Sequence, residues 1–147
     1  MLKKIKLIKA NIAIDNRGEL IFSNEFNMKN IKRFYHITNF KNPFVRAWHA
    51  HKKEEKFIIV TKGSAFFSAV AIDNWEKPSK NLKLSSFVLS EKNPKILHIP
   101  GGYAHGYQTL QKETHLIIFS TASLKESKKD DYRYDAHYWS PWKIKER

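Results

Sequence analysis

The sequence predicts an all-β protein, and three observations carry that prediction. Val, Ile, Phe, Tyr and Thr gather into short runs, and turn signals built from Gly, Pro, Asn and Asp separate the runs. Almost no segment has the i, i+3, i+4 apolar period of an amphipathic helix. Such punctuation describes a sandwich or a barrel, here one domain over residues 1–147 with no repeat and no linker.

Taken in order, residues 2–14 alternate Lys or Asn with Leu and Ile, the pattern of a strand with one wet face. Asp15-Asn16-Arg17-Gly18 turns the chain, and residues 20–22 return. Residues 31–38 are aromatic and β-branched, and Lys41-Asn42-Pro43 ends them. A central strand and its continuation follow at 45–60, and Lys62-Gly63 turns into 64–73, a run apolar enough to be buried on both faces. Residues 74–81 are loop. Further strands are predicted at 82–90, 96–100, 107–110 and 115–120, with Glu91-Lys92-Asn93-Pro94 and Gly101-Gly102 as turns. Residues 122–135 hold a helical turn, and the aromatic Tyr138-Trp139-Ser140-Pro141-Trp142 packs back on the sheet. Strand count and short turns suit a double-stranded β-helix, the cupin jelly roll, with a short, partly helical C-terminal segment.

Cys is absent, so neither a disulfide framework nor a thiolate metal site exists, which suits the cytoplasm. The N-terminus alternates Lys with apolar residues instead of forming a secretory h-region, and no run reaches membrane-spanning length. These features predict a soluble protein with no membrane partner. The formal charge of +13, from 27 Lys+Arg against 14 Asp+Glu, invites anions. The lysines are scattered singly and no nucleic-acid motif is present, so a phosphorylated small substrate is expected rather than nucleic acid.

Two stretches carry chemistry. If residues 45–60 are extended with period two, Val45, Ala47, His49 and His51 share one face, and Arg46, Trp48 and Ala50 the other. Val45 and Ala47 put the first face inside a sheet or barrel, where an imidazole is hydrogen-bonded, liganding or catalytic. On an edge strand the same residues would be plain surface histidines. Lys56 leads the apolar Phe57-Ile58-Ile59-Val60. The second stretch is Pro100-Gly101-Gly102-Tyr103-Ala104-His105-Gly106-Tyr107. In a barrel this hairpin brings His105 opposite His49, and Gly106 either leaves room for a ligand or only serves a tight turn.

Asp15-Asn16-Arg17-Gly18, Arg46-Ala47-Trp48-His49, Lys56 before its apolar run, and Ile99-Pro100-Gly101-Gly102-Tyr103-Ala104-His105-Gly106-Tyr107 stand in a familiar order. From about residue 15 to residue 142 the chain resembles the cupin-fold nucleotide-sugar epimerases of the dTDP-4-dehydrorhamnose 3,5-epimerase family. The resemblance implies a nucleotide diphosphate sugar substrate and no cofactor. It implies His49 as general base, Lys56 and His105 at the developing oxyanion, and Arg17 and Arg46 on the diphosphate.

The family's Thr-Asp-Tyr-Tyr, with its catalytic Tyr, is Thr121-Ala122-Ser123-Leu124 here, which leaves Tyr103, Tyr107 or Tyr35 as substitutes. The family's acidic partner for the base has no counterpart after Trp142. His49-Ala50-His51-Lys52-Lys53 is similar instead to the dTDP-sugar 3,4-ketoisomerases. In that reading His51 joins His49 as acid or base, and His36 or Tyr35 assists.

Two other classes compete. Metal-binding cupins use residue types such as His49, His51, Glu55 and His105, but Lys53 and Lys56 crowd that set with positive charge, so no metal is expected. A non-catalytic nucleotide-sugar-binding module is the other alternative. The fold also implies a homodimer, with residues 2–14 paired to a second copy and Arg17 reaching across.

Overall fold

The computed structural model describes residues 1–147. In chain order the strands are β1 (Lys6–Lys9), β2 (Asn11–Asp15), β3 (Gly18–Phe22), β4 (Arg33–Ile37), β5 (Val45–His51) and β6 (Lys56–Lys62). They continue with β7 (Ser64–Ala71), β8 (Leu84–Ser90), β9 (Lys95–Ile99), β10 (Tyr103–Thr109) and β11 (His115–Ser120), before helix α1 (Leu124–Lys129) and β12 (Tyr132–Arg133). Two five-stranded sheets form, ordered β1-β9-β6-β11-β4 and β12-β5-β10-β7-β8, while β2 and β3 pair only with each other. Every ladder is antiparallel. This is the cupin jelly roll that the strand count predicts. No helix is long and apolar enough to cross a membrane.

The core lies between the sheets. Ile58, Val60, Leu97, Ile99, Leu116 and Ile118 from the first meet Ala65, Phe67, Leu89 and Tyr107 from the second. Each fully buried aliphatic or aromatic side chain there contributes about 1.5–3 kcal/mol of transfer free energy. Two smaller layers close the outer faces. Trp139 and Trp142 pack with Trp48, Ala50, Val70 and Ala104 outside the second sheet, as the aromatic C-terminal stretch predicts. The Trp48 indole N–H donates to the Trp139 carbonyl at 3.0 Å. Outside the first sheet, Ile21 and Phe26 cover Ala10, Ile59 and Ile96.

Several boundaries differ from the sequence expectation. Residues 2–14 break at Ala10 into β1 and β2, and β1 pairs with β9 of its own chain instead of a second copy. Residues 45–60 are not one strand. β5 ends at His51, residues 52–55 turn, and β6 continues in the opposite sheet. The alternation therefore restarts at the turn, and Glu55 loses its shared parity with the histidines. Strand β10 begins at Tyr103, so His105 lies within a ladder and not in a hairpin.

Candidate active site

The predicted pairing of the two motifs is present: His105 on β10 is the register partner of His49 on β5. The next partners are Tyr107 and Arg46, so Ala47 and Trp48 together oppose Gly106 alone. That two-against-one count is a β-bulge, and it inverts the alternation of β5. Val45 and Ala47 consequently join Trp48 and Ala50 on the outer aromatic layer, whereas Arg46 moves to the inner face with His49. The simple period-two reading placed Arg46 opposite His49, and the bulge corrects it. Gly106 is the position that admits the bulge: a Cβ built there would lie 2.4 Å from Ala47 Cβ and 2.8 Å from the Arg46 carbonyl. It makes room for the Arg46-Ala47 segment and lies within a ladder, not at a turn, while bordering the inner cavity.

Two cavities meet at these residues. The outer one, about 350 Å³, is lined by Arg33, Tyr35, His49, His51, Lys56 and His105, and roofed by Leu124, Ser127, Lys128, Asp131 and Arg133. The inner one, about 110 Å³, shares Tyr35, His49 and His105 and adds Arg46 and Tyr107. Histidines 49, 51 and 105 come from the second sheet, while Arg33, Tyr35 and Lys56 come from the first. A ligand between them therefore meets imidazoles on one wall and a phenol with two cations on the other.

The first wall is held by register. Ser120 pairs laterally with Arg33 on one side and with Lys56 on the other, so the three form a row across β4, β11 and β6. All three converge on the Glu54 carboxylate: the Lys56 ammonium and the Ser120 hydroxyl at 2.5 Å donate to Oε1, and Arg33 Nη2 is 3.3 Å away. The Glu54 side chain is 1% exposed. Burial alone would raise its carboxyl, but hydrogen bonds from Lys56 and Ser120 and the Lys56 charge hold it below the usual range. The Asp130 carboxylate fixes the turn that presents Glu54, accepting from the backbone N–H groups of Lys52 (2.7 Å), Lys53 (2.8 Å) and Glu54 (3.1 Å). Lys56 also sits 5.4 Å from the Tyr35 ring centroid, a cation–π contact.

On the imidazole wall, burial first and then the Arg133 charge push His49 below the ordinary histidine value, with Asp131 opposing. Burial pushes His105 well below that value, and the His51, Lys56 and His49 charges add to it. Both rings are therefore neutral around pH 7, the state a proton acceptor needs. His105 Nε2 is buried with no hydrogen-bond partner. Tyr107 is buried at the inner end, where its hydroxyl accepts from Asn39 Nδ2 at 3.4 Å and burial raises it above the usual tyrosine value.

Three predicted site residues lie elsewhere. Arg17, 86% exposed at the β2–β3 turn, is engaged by Asp15 at 2.5 Å. His36 points outward on β4, the opposite parity from Tyr35, and lies against His115 with ring centroids 5.1 Å apart. Tyr103 donates its hydroxyl to the Lys3 carbonyl at 3.1 Å and lines neither cavity. Glu55 pairs with Lys3 and His98, at 2.7 and 2.6 Å, so the His-His-Glu-His set does not assemble. Arg33, Glu54, Asp131 and Arg133 were not anticipated. Arg33 reaches the site by strand register and Asp131 and Arg133 through the C-terminal segment, while Glu54, three residues past His51, is presented by the turn that Asp130 fixes.

A two-sheet jelly roll with a histidine-lined cavity between its sheets defines a protein of the cupin class. Within that class the chain belongs to the family described as dTDP-4-dehydrorhamnose 3,5-epimerase, whose sequence model matches residues 1–144. The spore coat polysaccharide biosynthesis protein SpsL of Bacillus subtilis (strain 168) is 30% identical over 90 residues, 60% of this chain and 58% of that relative. The matched part thus spans little more than half of the relative's length. The solved dTDP-4-dehydrorhamnose 3,5-epimerase from Sulfolobus tokodaii is 26% identical with a TM-score of 0.75, covering 96% of this chain and 82% of that one. A double mutant of the QdtA 3,4-ketoisomerase from Thermoanaerobacterium thermosaccharolyticum, in complex with TDP, shares the fold. It has 22% identity, a TM-score of 0.70 and coverage of 95% and 94%.

Proposed function

We propose that residues 1–147 act as one catalytic domain, an isomerase that epimerises C3, C5 or both in a nucleotide-linked 4-keto-6-deoxy sugar, dTDP-linked by preference. The observation that carries this reading is the pair of opposed walls, His49 and His105 from one sheet facing Tyr35 and Lys56 from the other. Inversion at a carbon needs a proton removed from one face and another delivered to the opposite face.

His49, neutral through burial, takes the proton next to the C4 ketone, and the C–H electron pair moves through the carbonyl to leave an enolate oxygen. Lys56 and His105 stabilise that oxygen; a preorganised donor of this kind is worth about 3–4 kcal/mol. The Tyr35 phenol then gives its proton to the far face of the carbon, the ketone re-forms, and solvent restores Tyr35 and His49. Arg46, which lines both the inner cavity and the adjoining groove, holds the diphosphate, since a guanidinium binds two oxygens in one plane. The adjoining groove of about 400 Å³, lined by Asn39, Phe40, Lys41 and Phe44 as well as Arg46, receives the nucleoside.

Homodimer formation belongs to the same reading. The β2–β3 hairpin forms a sheet of its own and exposes Ile14 (69%) and Leu20 (61%), so docking on a second copy would bury both and carry Arg17 to the neighbour's cavity. Light scattering of Ile14→Asp/Leu20→Asp is expected to show monomers, and an unchanged dimer would refute the hairpin contact.

One observation favours a 3,4-ketoisomerase as the second reading. His49 and His51 both line the same wall, two positions apart, as a same-face transfer between neighbouring carbons requires. NMR of dTDP-4-keto-6-deoxyglucose in deuterium oxide, with the unsubstituted protein and with His49→Ala, separates the readings. Deuterium at C3 or C5 with an inverted centre, abolished in the variant, is the expected result. A carbonyl group moved from C4 to C3 establishes the ketoisomerase, and no exchange overturns both isomerase readings for this sugar, leaving another nucleotide sugar, a metal-dependent cupin or a non-catalytic module.

A further inference from the structure

We propose that a lysine-lined cavity beside the active site is a second binding site, one for an oligophosphate anion such as pyrophosphate or the diphosphate of a nucleotide. The inference stands apart from the isomerase reading, which uses none of these lysines.

That cavity, about 480 Å³, is lined by Lys32, Lys52, Lys53 and Lys129, together with Thr121 and Tyr132. Glu54, Glu126 and Asp130 share the lining, and each carboxylate is already engaged. Glu54 Oε1 takes Lys56, Ser120 and Arg33. The Asp130 oxygens take the backbone N–H groups of Lys52, Lys53 and Glu54. Glu126 takes the Lys32 ammonium, at 2.7 and 2.8 Å, and the Ser123 N–H. The ammonium groups of Lys52, Lys53 and Lys129 form no ion pair. Lys52 lies 4.9 Å from the Tyr132 ring centroid and 5.4 Å from that of Trp75, contacts that place its charge without neutralising it. Three lysine charges are thus left without a counterion around one concave space.

A cleft rich in one sign of charge concentrates ions of the other sign. Three unpaired cations match a compact ion with two or more negative charges, as a diphosphate has and a single carboxylate has not. Lysine suits such a ligand because it meets phosphate as an adaptable point charge. A nucleic-acid strand fits less well, since its phosphates need cations along an open track, and here they surround one cavity with three carboxylates among them.

The position couples this cavity to the active site. Lys52 and Lys53 belong to the turn that carries Glu54, and Lys129 precedes Asp130, whose carboxylate holds that turn. An anion shared by the three lysines braces the junction between the turn and the C-terminal segment.

The test is amide NMR of the protein titrated separately with pyrophosphate, inorganic phosphate and dTDP, at about physiological ionic strength. With pyrophosphate, the amides of residues 52–54 and 129–132 are expected to shift and saturate. Lys53 and Lys129 are exposed, so Lys53→Gln/Lys129→Gln should fold, as its remaining amides will report, and it is expected to weaken this binding about tenfold or more. With dTDP, a second set of shifts at Arg46 and His49 is expected to survive in that variant. Shifts at the lysine cavity with dTDP but not pyrophosphate assign the site to a nucleotide, and the reverse assigns it to the free diphosphate. Inorganic phosphate binding as tightly as pyrophosphate overturns the oligophosphate assignment. Shifts confined to the active-site residues, no shift at all, or an unchanged affinity in the double variant overturn the site itself. These titrations involve no turnover, so a failure of deuterium exchange defeats the isomerase reading and leaves the anion site to be judged on its own.

Discussion

The space between the two sheets has two ends, and the same strands furnish both. Along the inward face of β6 the residues run Lys56, Ile58, Val60; along β11, Ser120, Ile118, Leu116; along β4, Arg33, Tyr35, Ile37. At one end each strand contributes aliphatic side chains to a dry core, and two to four residues further along it contributes an ion or a hydroxyl. The polar end needs the apolar one. Lys56 and Arg33 grow from strands already fixed by their core residues, Glu54 from the turn that Asp130 holds, and their charges satisfy one another away from bulk water.

Breaking the apolar end has the largest expected effect. Phe67 is fully buried and meets the Tyr107 ring at 5.2 Å, so Phe67→Ala is expected to cost about 3–5 kcal/mol in urea unfolding. A loss below about 1 kcal/mol would mean that the core does not support the site.

The opposite end is tested by chemistry rather than stability. Tyr35→Phe removes the proton donor of the wall facing His49, and formation of inverted product is expected to fall roughly 100-fold or more. Deuterium should still enter the carbon that faces His49, because abstraction survives and the proton returns from the same side. Loss of exchange as well would place Tyr35 in the abstraction step, and unchanged inversion would remove the opposed-wall mechanism.

The two ends also part company with pH. His49 and His105 are held below the ordinary histidine value of 6.5 in the folded protein, so near that pH the unfolded chain binds protons that the folded one refuses. Stability should therefore fall as pH drops through and below about 6.5. The acidic limb of kcat/KM, which follows the neutral His49 base, is expected below that pH, so folded molecules stay active where the protein is already losing stability. An acidic limb above 6.5 would contradict His49 as the base.

Much of this was legible in the chain, for identifiable reasons. Strand existence followed from β-branched and aromatic runs between turns, and the facing of His49 by His105 followed from two motifs that must meet in a closed barrel. What escaped depended on register. The bulge at Ala47-Trp48 reversed the face of Arg46, and nothing in the local residues announces it except the small Gly106 across the ladder. Arg33, Ser120 and Lys56 lie far apart in sequence yet side by side in the sheet, so their shared Glu54 could not be deduced from spacing. Residues 52–55 read as a continuing strand because they carry no Gly or Pro; the turn is made instead by the distant Asp130 carboxylate accepting three backbone N–H groups.

The smallest expected effect concerns the roof of the polar end. Ser123 caps α1, its hydroxyl accepting from the Glu126 N–H at 3.2 Å while the Glu126 carboxylate accepts from the Ser123 N–H at 2.7 Å. A helix of 6 residues depends on such a box for much of its order. Ser123→Ala is expected to cost about 1 kcal/mol by thermal or urea unfolding. The helix delivers Ser127 and Lys128 to the cavity and leads into Asp131 and Arg133, whereas Tyr35, His49 and Lys56 stand on strands β4, β5 and β6. Loosening the roof should therefore raise KM and leave kcat nearly unchanged. It should also shift the acidic limb slightly upward in pH, since the Arg133 charge that lowers His49 outweighs the opposing Asp131. A fall in kcat with KM constant would instead make the C-terminal segment part of the reacting wall, and the division between a rigid two-sheet site and its adjustable cover would not hold.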